Sequence, residues 1–225
     1  ASTYYLGPGG APGNSGQSPS SAWDLATVNA NLSAGDVCVV LPGAYAGDWA
    51  LVHHGAPGAR ITVVGDIARP GAATFQGGIE CDRSHITFKG ISITGPASLK
   101  ATSTVNTAAY DSVVYCRIRA AHFVGAKHNL VARNLIVNDV NPSGTTVAFV
   151  LSGWQDWPAP GAFNSNAEFD TLRDNTIDMG YISWKGFLMR QFAQHNVIER
   201  NRISARFAGT NGDIQGRYLY NSYYN

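Results

Sequence analysis

The sequence predicts an all-β solenoid in which short strands stack coil upon coil. Two observations predict this fold: a loose internal repeat of paired short strands, and a composition rich in glycine and poor in charge. Glycine makes up 25 of the 225 residues and only 14% are charged, which suits a turn-rich β surface carrying Asn, Ser and Thr. Because 44% of the residues are hydrophobic and no linker is visible, we expect one domain spanning residues 1–225.

The repeat has the same order of parts in five segments: a short strand of alternating apolar residues, one turn residue and a second short strand. The turn residues are Gly90, Cys116, Asn134, Asn175 and Asn201, with Asn221 as an expected sixth. Their separations are 26, 18, 41, 26 and 20 residues, so the longest gap indicates one coil with an inserted loop. Because Asn tolerates the left-handed backbone conformation and stacked amides satisfy each other, the Asn residues predict a structural ladder.

The N-terminal part holds the one predicted helix, at about residues 22–32, whose apolar Leu25, Val28 and Leu32 fall on one face. A continuous apolar run at 37–41 follows and is typical of a buried strand. We therefore expect an opening strand and the helix within residues 1–34, and coils from 35 to 225.

Charge and composition exclude several classes of partner. The net charge of +1 gives no field that favours nucleic acid or an anionic membrane, and no apolar stretch is long enough to span a bilayer. The chain starts without a basic and apolar leader, so we expect a mature secreted, extracellular or periplasmic protein. The cysteines Cys38, Cys81 and Cys116 lack metal-ligand spacing, and we expect buried thiols, with one disulfide left open.

The opening segments Thr3–Gly10, Gly13–Gly16, Ala34–Val37 and Leu41–Tyr45 resemble the start of secreted members of the pectate-lyase-like superfamily. The resemblance implies a right-handed parallel β-helix with three strands per coil, an Asn ladder along one bend and a helix that caps the open end. It covers nearly the whole chain for fold. The superfamily includes lyases, hydrolases, epimerases and adhesins, so fold alone does not decide function. Since the sequence stops at Asn225 inside a predicted coil, we expect further polypeptide to cover that end.

A third strand per coil is expected after each pair, at residues 145–151, 187–191 and 213–216. Turns at 138–144, 178–186 and 204–212 lead into these strands. The resemblance implies that the polymer groove follows this third sheet and its turns, where charged and aromatic residues collect. We predict catalytic roles for Lys185, Arg190, Arg206 and Asp213, and metal binding by Asp139 and Asp178. We predict substrate binding by Trp154, Trp157, Trp184, His122, Gln215 and Arg217.

Two chemistries fit these residues. In β-elimination a base removes the proton beside a uronate carboxylate while a cation stabilises the developing charge, so Lys185, Arg190 or Arg206 could serve, with Ca²⁺ held by aspartates. Hydrolysis needs two carboxylates, which Asp178 and Asp213 could supply. Strand alternation would place Asp213 and Gln215 on one face, in a stretch that resembles the Asp-x-Gln of other secreted β-helix proteins.

The leading interpretation is a secreted enzyme that degrades a polysaccharide, with β-elimination of a uronate-containing polymer ahead of hydrolysis. The tryptophans would stack on sugar rings. No organic cofactor is expected, and Ca²⁺ is the expected metal. A non-catalytic glycan-binding or adhesin-type β-helix is the alternative from a different class, and the lack of a dense catalytic motif favours it.

Overall fold

A computed structural model shows a solenoid of short strands and describes residues 1–102, 106–137, 149–152, 167–178, 188–189, 193–204 and 218–219. The strands contain two to five residues each. In chain order they are β1 (Thr3–Leu6), β2 (Val37–Val40), β3 (Gly43–Tyr45), β4 (Ile61–Val64), β5 (Ala73–Phe75), β6 (Ile79–Cys81), β7 (Ile86–Lys89), β8 (Ser92–Ile93), β9 (Pro96–Lys100), β10 (Ser112–Val114), β11 (Arg117–Ile118), β12 (Ala120–Val124), β13 (Leu130–Ala132), β14 (Leu135–Val137), β15 (Phe149–Ser152), β16 (Ala167–Glu168), β17 (Thr171–Arg173), β18 (Thr176–Asp178), β19 (Leu188–Met189), β20 (Ala193–Gln194), β21 (Val197–Glu199), β22 (Arg202–Ser204) and β23 (Tyr218–Leu219).

Three parallel sheets follow the solenoid axis. The first has the order β1-β2-β4-β7-β10-β13-β17-β21, the second β3-β5-β8-β11-β14-β18-β22, and the third β6-β9-β12-β15-β19-β23, while β16 and β20 form a small separate pair. From β7 onward each coil gives one strand to each sheet. Parallel crossover connections of this kind are right-handed in nearly all proteins. The predicted parallel β-helix with three strands per coil is confirmed.

The core consists of apolar side chains that stack in register from coil to coil. In the first sheet one buried column runs through Val63, Phe88, Val113, Val131 and Leu172. In the second sheet the buried column runs through Phe75, Ile93, Ile118, Ile136 and Ile177. Each such side chain contributes about 1.5–3 kcal/mol when fully buried, so the alternating apolar pattern of the repeat directs one face of every strand inward.

The N-terminal helix α1 (Leu25–Asn31) packs on the first coils, with Val28 and Leu32 fully buried in the core. Its N-cap is Asp24, whose carboxylate accepts a hydrogen bond from Thr27 N at 2.7 Å. The helix starts later than predicted because Trp23 is extended beside β1 and donates its N–H to Tyr5 O. Short 3-10 turns lie at Pro19–Ser21 and Pro70–Ala72. Within the described ranges, no helix is long and apolar enough to cross a membrane.

The predicted Asn ladder is confirmed at the bend between the first and second sheets. The side-chain oxygen of Asn134 accepts from Cys116 N at 2.8 Å, that of Asn175 from Asn134 N at 2.9 Å, and that of Asn201 from Asn175 N at 3.0 Å. Each amide also donates Nδ2 to a strand carbonyl, as Asn175 does to Val131 O. Because these amides satisfy backbone groups at a buried bend, the ladder is structural, as predicted.

The sequence interpretation placed the left-handed residue and the ladder residue at one position, and this is wrong by one residue. Positive φ values occur at the residue before the ladder position, as at Arg133 with φ 57°. Because Arg117 pairs with Ser92, Gly90, with φ 69°, has the same position in its coil as Tyr115 has in the next. Ile91 therefore occupies the ladder position of the Gly90 coil. The left-handed residue turns the chain so that the next side chain points inward.

A second ladder, which the sequence analysis missed, lies at the bend between the third and first sheets. The carboxylate of Asp170 accepts from Asn129 N at 2.8 Å, and Asn129 Oδ1 accepts from Asp111 N at 2.8 Å. Asn196 Oδ1 accepts from Asp170 N at 2.9 Å. The first sheet is thus bordered by a ladder on each side. Two of the rungs in this second ladder are buried acids in place of amides.

The third-sheet strands of the last three coils are β15, β19 and β23. β15 and β19 overlap the predicted ranges 145–151 and 187–191, whereas β23 follows the predicted range 213–216 in the chain. Residues 213–216 lie outside the described residues, so the placement of Asp213 and Gln215 on one strand face stays a prediction.

All three cysteines are buried and free, so the expectation of buried thiols is confirmed and no disulfide forms. Burial raises the pKa of Cys38 and that of Cys116 to about 12, each partly opposed by backbone hydrogen bonds. Since the thiolate is the reactive form, we expect no reaction of the native protein with a thiol reagent and three reacting thiols after denaturation. Rapid labelling of any cysteine in the folded protein would contradict this burial.

Candidate functional site

The connections between the second and third sheets change length along the solenoid. Between β8 and β9 the connection is Thr94 and Gly95, and between β11 and β12 it is Arg119 alone. In the next three coils the described strands of these two sheets are separated in the sequence by residues 138–148, 179–187 and 205–217. Long connections placed side by side on a rigid solenoid are where binding and catalytic residues collect.

These three long connections start and end at neighbouring points. They begin after Val137, Asp178 and Ser204, which are register partners in the second sheet. They lead into β15, β19 and β23, which are paired in register in the third sheet. Adjacent parallel strands lie about 4.8 Å apart, so all three connections are attached to one short edge of the third sheet.

Most of the predicted site residues belong to these connections by sequence. Asp139 is in the first, Trp184 and Lys185 are in the second, and the third contains four of them: Arg206, Asp213, Gln215 and Arg217. In the sequence, Arg190 follows β19, and Trp154 and Trp157 come between β15 and β16. All ten residues are outside the described part of the chain, so their roles remain predictions.

Asp178 and His122 are the two predicted site residues that the structure describes. Asp178 is the last residue of β18, half-buried, at the point where the connection 179–187 begins. His122 is at the centre of β12 in the third sheet and is half-buried. Ala121 and Phe123 on either side of it are buried in the core, so His122 belongs to the outer face of the strand. The two residues belong to different sheets.

The outer face of the third sheet is polar next to His122. Glu80, Ser98 and His122 are register partners in a column along the face. Glu80 forms an ion pair with Lys100 at 2.5 Å, and Asp82 accepts from Thr102 Oγ1 at 2.6 Å. The sequence analysis did not select these residues, although the apolar-polar alternation of 79–82 was a visible signal. The face that borders the long connections therefore presents hydrogen-bonding groups to a ligand.

A column of stacked rings marks the bend between the third and first sheets. Neighbouring ring centroids are 4.8–5.2 Å apart and the rings are within 9° of parallel. The column contains His85, Tyr110, His128, Phe169 and His195, all with positive φ. Tyr110 and Phe169 are each 48% exposed. Stacking of this kind adds about 0.5–1.5 kcal/mol per aromatic pair, which helps to hold non-glycine residues in the left-handed region.

No cluster of three or more His, Cys, Asp or Glu side chains that could hold a metal ion occurs among the described residues. Asp178 is the one predicted metal ligand within them. Its carboxylate and the neighbouring Ser204 hydroxyl are oxygen donors, the type that Ca²⁺ prefers. The other predicted ligand, Asp139, follows the register partner of Asp178 by two residues in the sequence and lies outside the described residues, so the Ca²⁺ site stays a prediction.

No family model matches this sequence, and no curated protein matches it. Among solved structures, a mannuronic acid-specific family 6 polysaccharide lyase from human gut microbiota matches with a TM-score of 0.53 and 13% identity, covering 100% of this chain. The present chain spans 64% of that protein's length. A rhamnogalacturonan lyase matches with a TM-score of 0.45 and 13% identity, covering 100% of this chain and 69% of the other. At 13% identity, the likeness to the first of these structures establishes a shared fold, the parallel β-helix.

Proposed function

We propose that this chain cleaves a uronate-containing polysaccharide by β-elimination and acts outside the cell or in the periplasm. The observation that carries the proposal is that three long segments containing lysine, arginine and aspartate lead in the sequence into third-sheet strands that are paired in register. The proposal places the charged residues of these segments at the edge where the strands begin. The fold shared with a polysaccharide lyase supports the same reading. An extended polymer fits a face whose polar groups repeat from coil to coil.

The chemistry assigns a role to each type of residue. A base, Lys185 or a neighbouring arginine, removes the proton on the carbon beside the uronate carboxylate. The electron pair forms a carbon–carbon double bond as the bond to the glycosidic oxygen breaks, and that oxygen takes a proton. Arg190 and Arg206 stabilise the charge that develops on the carboxylate, and Asp139 and Asp178 would hold Ca²⁺, which neutralises the same carboxylate. Trp154, Trp157 and Trp184 would stack on the sugar rings.

The test is a continuous ultraviolet assay for the unsaturated uronate formed at the new chain end. The substrate panel comprises alginate, pectate and a glycosaminoglycan, each with Ca²⁺ and then with chelator. Mannuronate-rich alginate is tested first because one structural neighbour is specific for mannuronic acid. We expect a rise in absorbance on at least one substrate. We also expect loss of the signal with chelator and its recovery when Ca²⁺ is restored.

Single variants then separate the roles. Lys185→Ala and Arg206→Ala should each lower kcat/KM by about 10²–10⁴-fold, the usual contribution of a positioned acid–base group. Lys89→Ala, which removes a lysine from the end of β7 in the first sheet, should leave kcat/KM unchanged. New reducing ends without unsaturated product would favour a hydrolase that uses Asp178 and Asp213. Binding without either product would favour the non-catalytic alternative.

A further inference from the structure

We propose that the corner between the first and second sheets carries a separate binding site for the carboxylate of an acidic sugar. The site is a cavity of about 210 Å³ on the outer surface, lined by Arg117 and Arg133 among others. Its volume is below the roughly 300–1,000 Å³ of drug-sized ligand sites, so it would hold one sugar unit. The choice of a uronate as ligand rests on the proposed function, whereas the site itself lies at a different corner from the long connections.

The cavity exists because one connection at this corner is longer than those that follow. Between β4 and β5 the chain takes residues 65–72, whereas the later corners have two residues each, such as Tyr115–Cys116. The long connection forms a wall through Ile67 and Pro70, and the later corners form the floor. Gly90 permits the close packing, because a Cβ there would lie 2.9 Å from Ile67 N. The long connection thus closes one end of the cavity.

The charge of the cavity is positive. Arg133 is oriented by a hydrogen bond to the Tyr115 hydroxyl, and its guanidinium carbon lies 5.5 Å from the centre of that ring. Arg117 makes no side-chain hydrogen bond or ion pair with any other described residue. Both arginines line the same cavity, and a guanidinium matches a carboxylate through two parallel hydrogen bonds. None of the described residues that line it is acidic.

Two carboxylates near this corner are already engaged by other arginines. Asp174, which has the position of Arg133 in the next coil, attracts the Arg133 guanidinium electrostatically but accepts its hydrogen bonds from Arg200 at 2.7 and 3.2 Å, and these bonds lower the pKa of Asp174. Asp66 in the wall segment is paired with Arg69 at 2.8 Å. The Cys116 thiol in the floor stays neutral because burial raises its pKa to about 12. The guanidiniums of the cavity are therefore available to an external anion.

Apolar side chains beside the cations make a sugar acid a better fit than an inorganic anion. Leu135 is 41% exposed and Ile67 is 44% exposed, and both line the cavity. An apolar sugar face can pack on them while the carboxylate meets Arg117 and Arg133. Phosphate or sulfate would use only the guanidiniums and leave the apolar groups hydrated. The ligand class is thus a carboxylated sugar.

The test measures binding of a short uronate oligomer by calorimetry in the Lys185→Ala background, so that cleavage does not consume the ligand. We expect the double change Arg117→Gln and Arg133→Gln to weaken one class of sites by at least about tenfold. Arg202→Gln is the matched control, because Arg202 belongs to the same sheet and is exposed but does not line the cavity. It should bind like the parent protein.

Two further measurements keep the outcomes separate. Leu135→Asp introduces a carboxylate beside the guanidiniums and should abolish the same class of sites, even if the arginine variants fold poorly. The arginine variants in the otherwise native chain should still cleave short oligomers if the proposed function holds. Failure of the parent protein to cleave would count against that function and not against this site, whereas loss of cleavage in the arginine variants alone would contradict the separation of the two sites. Unchanged affinity in both the arginine and Leu135 variants, or equal binding of neutral oligomers, would overturn the site.

Discussion

Replacing Asn175 with alanine is expected to lower the free energy of unfolding by about 3–5 kcal/mol. The side chain is buried and its oxygen accepts from both the backbone N–H and the side-chain amide of Asn134, while its Nδ2 donates to Val131 O. Alanine would remove the partner of Asn134 N–H and of Val131 O, two buried backbone groups, each at a cost of about 1–3 kcal/mol, while Asn134 Nδ2 would keep its bond to Val113 O. Thermal and urea denaturation, followed by far-ultraviolet circular dichroism, measure the loss.

Asn31→Ala is the matched control for that change. Asn31 is exposed at the end of α1 and donates Nδ2 to Thr27 O, so its loss should change stability by no more than about 0.5 kcal/mol. If Asn175→Ala cost as little as the control, the ladder would not contribute to stability as its geometry requires.

Replacing Asp170 with asparagine is expected to act in the opposite direction and raise stability at neutral pH by about 1–3 kcal/mol. Asp170 is 2% exposed, and its Oδ1 accepts from Asn129 N and Nδ2. Its Oδ2 is buried without a hydrogen-bond partner among the described residues. Burial raises the pKa of Asp170 well above its ordinary value. An amide would replace a carboxyl group that is costly to ionise in the core.

The register identifies the partner that an amide would gain. Asn129 and Asn196, the neighbouring rungs, donate Nδ2 to Ala108 O and Ala167 O. In both cases the acceptor carbonyl belongs to the residue three positions before the ladder residue of the preceding coil. By the same spacing, an amide at position 170 would donate to Ala126 O. The variant would therefore complete the ladder with the hydrogen bond that its other amides make.

The pH dependence supplies a second readout for the same variant. Since the folded pKa of Asp170 is raised, its stabilising contribution is full below the unfolded value of about 3.9 and is lost as pH rises through the folded pKa. Wild-type protein should lose stability over that window, and Asp170→Asn should lose less. Burial also raises the pKa of Asp111, so the variant should still show part of this dependence of stability on pH. Equal melting temperatures and equal pH profiles for variant and wild type would contradict a neutral acid at position 170.

Much of the fold was predictable because the same residue types recur at the same positions of successive coils. The bend asparagines Asn134, Asn175 and Asn201 recur between apolar strands, and their stacking follows from the chemistry of the amide. The second ladder had an equally regular signal that was overlooked: an aromatic or histidine followed by Asp or Asn begins the repeats after the first, as in Tyr110-Asp111 and His128-Asn129. The offset at Gly90 was not predictable, because Gly and Asn both tolerate the left-handed region, whereas Tyr115 occupies it through tertiary contacts.

The site was less predictable than the fold. The sequence indicated which connections carry charge, and the register shows that these connections share one edge of the third sheet. The sequence could not show which side chains converge, because Lys185, Arg206 and Asp213 lie in segments without a periodic pattern of apolar residues. The cavity at Arg117 and Arg133 had no sequence signal, since it arises from a difference in length between connections on neighbouring coils.

Because a ladder lies on each side of the first sheet, the solenoid can be lengthened by whole coils. Each coil offers a side-chain acceptor to the coil below and a backbone donor to the coil above, at two bends five residues apart, as at Asn129 and Asn134. Duplicating one such 26-residue unit, from Asp170 to His195, would match every rung without any new side chain. Solenoid length, and with it the number of sugar units that could lie along its face, can therefore change by whole coils while the interface between coils is conserved.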